Sequence, residues 1–122
     1  MTPHFSKAEL ACPCCGKLPD PSFMARVERL RVEYGHPLTV TSAMRCPAYN
    51  AKVSATGDNG PHTTGHAIDF AVDRGAAYAL LKLALTLGFT GIGVQQKGKT
   101  RFLHLDDLAL SGSHPRPRVW SY

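Results

Sequence analysis

No apolar run in this sequence approaches the length of a membrane span, and residues 1–10 hold no hydrophobic stretch of the kind that serves as a signal peptide. Insertion as a transmembrane helix is excluded, and the expectation is a protein that is cytoplasmic as synthesised. Blocks of like charge are also missing. The 14 Lys and Arg residues are scattered, so no basic arm or tail exists, and a nucleic-acid-binding role rests on charge alone. The net charge of +5 admits an anionic partner such as nucleic acid, a membrane surface or a bacterial wall, but solubility explains it equally well. Internal repeats and low-complexity tracts are absent, which excludes solenoids and linker-rich architectures. A second Cys-x-x-Cys pair is lacking, which argues against a zinc ribbon.

What is present suits one compact domain over residues 1–122. A chain of this length buries a core without disulfide staples. Ser6-Lys7-Ala8-Glu9 reads as a capping box opening a short helix. Asp20-Pro21 opens a longer one, with Phe23, Val27, Leu30 and Tyr34 at helical spacing, Gly35 as its stop and Pro37 behind it. Leu38 to Ser42 reads as a strand, Asn50 closes a short helical turn, and Ser54 to Pro61 is a loop. Ala67 to Val72 alternates, with Ile68, Phe70 and Val72 on one face and Ala67, Asp69 and Ala71 on the other. Asp73 caps a helix from about Gly75 to Leu87 that Gly88 ends. Gly91–Gln95 and Arg101–Asp106 form two strands around the turn Gln96-Lys97-Gly98-Lys99. The expected class is α+β, a small mixed or antiparallel sheet with helices packed on one side.

The stretch GPHTTGHAIDF, residues 60–70, carries the chemistry. Its apolar alternation turns Asp69 away from the core, and Gly60, Pro61 and Gly65 let the loop bearing His62 fold back over the strand. In Phe102-Leu103-His104-Leu105-Asp106, the leucines point inward while His104 and Asp106 share the opposite face. If the two strands are neighbours, His62, Asp69 and His104 converge. Two imidazoles and a carboxylate are a ligand set that zinc takes while keeping a position for water. Taken singly, each of these residues reads as an ordinary loop histidine or solvated aspartate.

His62-x-x-Gly65-x-Ala67-x-Asp69 followed by His104-x-Asp106 resembles the signature of the zinc D-Ala-D-Ala carboxypeptidase family. That fold is shared by bacterial and phage peptidoglycan peptidases and by the hedgehog signalling domain. Three further segments extend the resemblance along most of the chain: His4-Phe5-Ser6 to Cys15-Gly16, Thr41-Ser42-Ala43-Met44-Arg45-Cys46-Pro47 with Asn50, and Phe89-Thr90-Gly91-Ile92-Gly93. The resemblance implies one catalytic Zn2+ held by His62, Asp69 and His104. It also implies that Arg45 holds a carboxylate or carbonyl of the substrate. Stem peptides of peptidoglycan are rich in carboxylates, which suits a fixed guanidinium.

Two positions depart from the family pattern. Gly60 stands where a serine is usual, two residues before the first histidine. Arg101 stands three residues before the last histidine, where many members carry an acid as general base, and Arg101 cannot accept a proton. Asp106 is the best substitute base, with orientation of a ligand imidazole as its rival role. His66 and Asp107 stand behind it as candidates. Cys12, Cys14, Cys15 and Cys46 are open to three fates: a second, structural zinc, reduced thiols, or pairing after release. His114 and Arg116-Pro117-Arg118 read as exposed C-terminal features, while Trp120 packs against the sheet.

Three functional classes follow. The leading one is an endolysin-like zinc peptidase of phage or bacterial type. It would be a monomer that cuts stem peptides of the cell wall after release, as a D-Ala-D-Ala carboxypeptidase, an L-Ala-D-Glu endopeptidase or a cross-link endopeptidase. The second is a non-catalytic zinc-stabilised binding domain of the same fold, and the third a basic nucleic-acid binder.

Overall fold

The computed structural model describes residues 1–122. Helix α1 (Lys7–Leu10) is short and depends on its cap. The Ser6 hydroxyl accepts from the Glu9 amide at 3.3 Å and the Glu9 carboxylate accepts from the Ser6 amide at 2.9 Å, closing the expected capping box. Helix α2 (Pro21–Tyr34) starts where Asp20 accepts from the Ser22 and Phe23 amides, and ends at Gly35 in the left-handed region. Strand β1 (Thr39–Ser42) follows, then α3 (Pro47–Val53), a 3-10 turn (Pro61–Thr64) and β2 (Ala67–Ala71). Helix α4 (Arg74–Thr86), β3 (Gly91–Gln95), β4 (Phe102–Asp106) and β5 (Arg118–Ser121) complete the chain. Asp73 occupies the N-cap of α4, but contrary to expectation its side chain makes no capping bond. No helix is long and apolar enough to cross a membrane.

The five strands form one mixed sheet in the order β1-β2-β4-β3-β5. All neighbours are antiparallel except β3 and β5, which run parallel. One face carries Ile68, Phe70, Ile92, Leu103 and Leu105, which pack with Phe23, Val27 and Leu30 of α2 and Ala77, Leu80 and Ala84 of α4 into a core of 17 buried residues. Each large side chain removed from water there contributes about 1.5–3 kcal/mol. Phe70 touches Phe5 with ring centroids 5.9 Å apart, so it also ties the N-terminal segment to the sheet. Truncating it to alanine would cost about 3–5 kcal/mol.

Period-two alternation puts the polar residues of β2 and β4 on the opposite face. The register makes them neighbours: Asp69 lies across from His104, and Ala67 across from Asp106. On the far side of β4, Gly93 lies across from His104 and Gly91 from Asp106. A side chain at Gly91 would run into the Asp106 carboxylate, and one at Gly93 into Trp120, Tyr122 and His104. Glycine at both positions is therefore a space requirement set by this face.

The C-terminal segment differs from expectation. Arg118, read as part of an exposed tail, stays exposed but begins strand β5, which pairs with β3 through Gly91 and Arg118, Ile92 and Val119, and Gly93 and Trp120. Arg116 is 8% exposed rather than solvated, because its guanidinium is drawn to a buried carboxylate. The segment carries no periodic apolar pattern, so its strand depends on the β3 edge it finds. Trp120 does pack against the sheet.

Candidate metal centre

His62 is presented by the 3-10 turn. The turn closes through Thr63, whose amide and hydroxyl both donate to the Gly60 carbonyl, and exits through Gly65 at φ 79°. Gly60 sits against Thr56 and Asn50, and any Cβ there would collide with the Thr56 side chain. The Arg45 amide donates to the His62 carbonyl at 3.1 Å, tying this turn to the end of β1.

Hydrogen bonds assign the tautomer of each imidazole. His62 Nδ1 lies 2.6 Å from the Ala43 carbonyl, which only accepts, so Nδ1 carries the hydrogen and Nε2 presents a lone pair. His104 Nε2 lies 2.7 Å from Asp106 Oδ2, so Nε2 carries the hydrogen and Nδ1 presents the lone pair. Those two lone pairs face each other and Asp69 Oδ1. His62 Nε2 to Asp69 Oδ1 is 3.2 Å, His104 Nδ1 to Asp69 Oδ1 is 3.0 Å, and the two nitrogens are 3.2 Å apart. Ligands about 2.0–2.1 Å from a tetrahedral zinc lie roughly 3.3 Å from one another. Three acceptors at this spacing repel unless a cation sits among them. The donor set therefore fits zinc.

Burial sharpens the requirement. Asp69, His104 and Asp106 are 6%, 2% and 0% exposed. Burial alone would raise the Asp69 pKa, but in the metal-free centre, where a proton on the facing imidazole nitrogens takes the place of the metal, hydrogen bonding to His104 and His62 outweighs it and holds the carboxyl well below the usual range. Burial would lower His104, but Asp106 and Asp69 on its two nitrogens override this and favour the imidazolium. Asp106 is pushed against burial to about 2 by His104 and Arg116. Without a metal, the centre must hold a proton in its place.

Arg45 stands beside the ligands without joining them. Its Nε donates to Ser42 Oγ at 3.0 Å, its Nη1 to Asn50 Oδ1 at 3.0 Å, and its Nη2 lies 3.9 Å from Asp69 Oδ2. Asn50 is fully buried and in turn donates to Thr56 Oγ1 and to the Gly57 carbonyl, so the guanidinium is held from behind by a fixed amide. A cavity of about 570 Å³ opens over this arrangement, lined by Arg45, His62, Asp69, His104, His114 and Trp120 among others.

The other candidates are placed elsewhere. His66 pairs with Asp107 at 2.9 Å and lies 3.8 Å from Asp20, away from the cavity lining. Arg101 donates to the Gly98 carbonyl and does not line the cavity. Asp106 is in place beneath His104, but both of its oxygens are engaged by Arg116.

Sequence reasoning missed the contribution of the last strand and the loop before it. Trp120 stacks near His104, with centroids 5.1 Å apart, and Arg116 and Arg118 lie over its ring at 5.2 and 5.6 Å. His114 donates from Nε2 to the Asn59 carbonyl at 3.1 Å, leaving Nδ1 as an acceptor. Tyr122 also lines the cavity, and its phenol is a donor at neutral pH. An aromatic and two arginines within five residues were the available signal, but nothing local ties them to His104.

No curated protein matches the chain. A family model described as Peptidase M15 matches residues 3–106, a span that includes His62, Asp69, His104 and Arg45 and stops before Arg116 and β5. This family is zinc-dependent. A match over most of the chain, on a mixed sheet that brings those ligand types to one point, means that the chain belongs to Peptidase M15, the zinc D-Ala-D-Ala carboxypeptidase family.

Proposed function

We propose that this protein is a zinc peptidase that hydrolyses peptide bonds in the stem peptides of bacterial peptidoglycan, acting on the wall after release from the cell that makes it. The observation that carries this reading is the convergence of His62 Nε2, Asp69 Oδ1 and His104 Nδ1 in a cavity that also holds the fixed Arg45 guanidinium. Zinc bound there would polarise a scissile carbonyl and lower the pKa of a water toward about 7.

The remaining work falls to the chain. Arg45 holds a substrate carboxylate or carbonyl, its aim set by Ser42 and Asn50. Arg118 adds positive charge to the cavity rim, and Trp120 gives the peptide an apolar wall. These features favour a compact anionic peptide over an extended polyanion. Asp106 takes the orienting role: with its oxygens bound to Arg116, it fixes the tautomer and angle of His104. His114, through its free Nδ1, accepts the proton from the attacking water and returns it to the leaving amine. Tyr122 donates to the substrate.

Turnover of purified peptidoglycan, with and without chelator, tests this reading. Wild-type protein should release fragments, the chelated protein and His62→Ala should not, and mass spectrometry of the fragments identifies the bond. His114→Ala should lower the rate by about a hundredfold while keeping zinc.

One observation favours a second reading, a non-catalytic zinc-stabilised binding domain. No carboxylate other than Asp69 lines the cavity, and Arg101 occupies the position where an acid would be expected. Zinc-dependent binding of peptidoglycan fragments without any cleavage would support it.

A further inference from the structure

Four cysteines lie outside the site just described, all of them free thiols. Cys12 and Cys15 flank a tight turn. The Gly16 amide donates to the Cys12 carbonyl at 2.8 Å, the Cys12 amide donates to the Lys17 carbonyl at 2.8 Å, and Gly16 takes φ 76°. This turn points both side chains the same way. Cys46, 34 residues from Cys12, arrives at the head of α3, and the Met44 amide donates to the Leu10 carbonyl to hold the two segments together. The sulfurs of Cys12, Cys15 and Cys46 all lie within 4.8 Å of one another. Cys14, exposed, sits on the same turn between Cys12 and Cys15.

We propose that Cys12, Cys15 and Cys46 hold a second zinc ion, with the exposed Cys14 turning in as its fourth ligand, an ion that fixes the fold and takes no part in hydrolysis. Thiolates around tetrahedral zinc, at about 2.3 Å each, sit roughly 3.8 Å from one another, a spacing that Cys12, Cys15 and Cys46, already within 4.8 Å, reach with small side-chain rotations. The backbone supports charge on sulfur. The Cys46 amide donates to Cys12 Sγ at 3.2 Å. Such N–H donors offset the charge of metal-bound thiolates.

The alternatives account for less of the arrangement. A disulfide would use two of the four sulfurs and leave the others unexplained. Thiols serving as small apolar side chains belong in the core, yet Cys14 and Cys15 are exposed. The position also gives the ion a use. Cys46 adjoins Arg45, so a metal clamp between the N-terminal turn and Cys46 fixes the backbone from which Arg45 reaches the cavity.

Metal content and cobalt spectra of the full chain, purified under reducing conditions, test the proposal. Wild type should hold two zinc ions per chain. Cys15→Ser and Cys46→Ser should each lower this to one, and His62→Ala should lower it to one by emptying the other site. Cobalt replacing zinc should give a near-ultraviolet thiolate-to-metal charge-transfer band. His62→Ala should keep that band and Cys46→Ser should lose it. The wild-type spectrum alone remains decisive if a cysteine variant fails to fold. One metal per chain with no charge-transfer band overturns the proposal, and so does an intact mass two hydrogens short, which marks a disulfide. Loss of the histidine-site zinc with the thiolate band intact would count against the peptidase reading alone.

Discussion

Arg116 donates to Asp106 through two parallel hydrogen bonds, Nε to Oδ1 at 2.9 Å and Nη2 to Oδ2 at 2.7 Å, with both side chains buried. The pair forms the base of a relay that runs through Asp106 to His104 Nε2 and leaves His104 Nδ1 as a lone pair facing Asp69. The carboxylate is held rather than free. That arrangement distinguishes the two roles open to Asp106, because an orienting group needs fixed partners and a general base needs an open oxygen.

Asp106→Asn therefore should weaken zinc binding by roughly ten- to a hundredfold, and activity should recover when zinc is supplied in excess. Rate measurements across a zinc titration provide the check. A loss on the order of a hundredfold that persists at saturating zinc would return Asp106 to the role of base.

Removing the other partner acts on stability. Arg116→Ala leaves the Asp106 carboxylate buried with one of its two cationic partners gone, which costs about 3–5 kcal/mol. Denaturant unfolding of the metal-free protein measures this directly. A change below about 1 kcal/mol would mean that water replaces the guanidinium without loss.

Arg45→Ala should leave zinc content and folding intact while weakening substrate use, with KM rising more than kcat falls. Its bonds to Ser42 and Asn50 aim the guanidinium at the cavity, and none of its atoms is needed as a ligand. Loss of metal in this variant would show that the arginine supports the centre instead.

Acid should release zinc early. Burial opposes a proton on His104, but Asp106 and Asp69 outweigh it, so its folded, metal-free pKa lies above the ordinary value. The proton therefore competes with zinc at a higher pH than it would at an unperturbed histidine. Affinity is full above that raised pKa and falls as pH drops through it. Asp106→Asn removes one cause of the shift, so the variant's affinity, though lower on the plateau, should begin to fall only at a lower pH. Zinc affinity measured across pH for both proteins gives the comparison. A fall from the variant's own plateau that begins at a higher pH than in the wild type contradicts this account.

Much of this architecture is local in origin and legible in the residues. Ser6 with Glu9, Asp20 with Pro21, and Gly35 mark helix ends through bonds that span only a few positions. Alternation along Ala67–Ala71 and Phe102–Asp106 sends Ile68, Phe70, Leu103 and Leu105 to the core and Asp69, His104 and Asp106 to the other face. A period of two is a property of the extended backbone, so it can be read before any partner is known. What alternation cannot supply is pairing. The register that sets Asp69 beside His104, the parallel β5 along β3, and the fold of the 60–66 turn over β2 depend on contacts between segments far apart in sequence. The same reason hid Arg116: read locally it is a cation in a proline-flanked tail, and only the assembled sheet puts the buried Asp106 within its reach. Sequence determined which side chains share a face. Tertiary structure decided which of them meet, because a carboxylate's role depends on the partners that bind its oxygens, and those partners come from elsewhere in the chain.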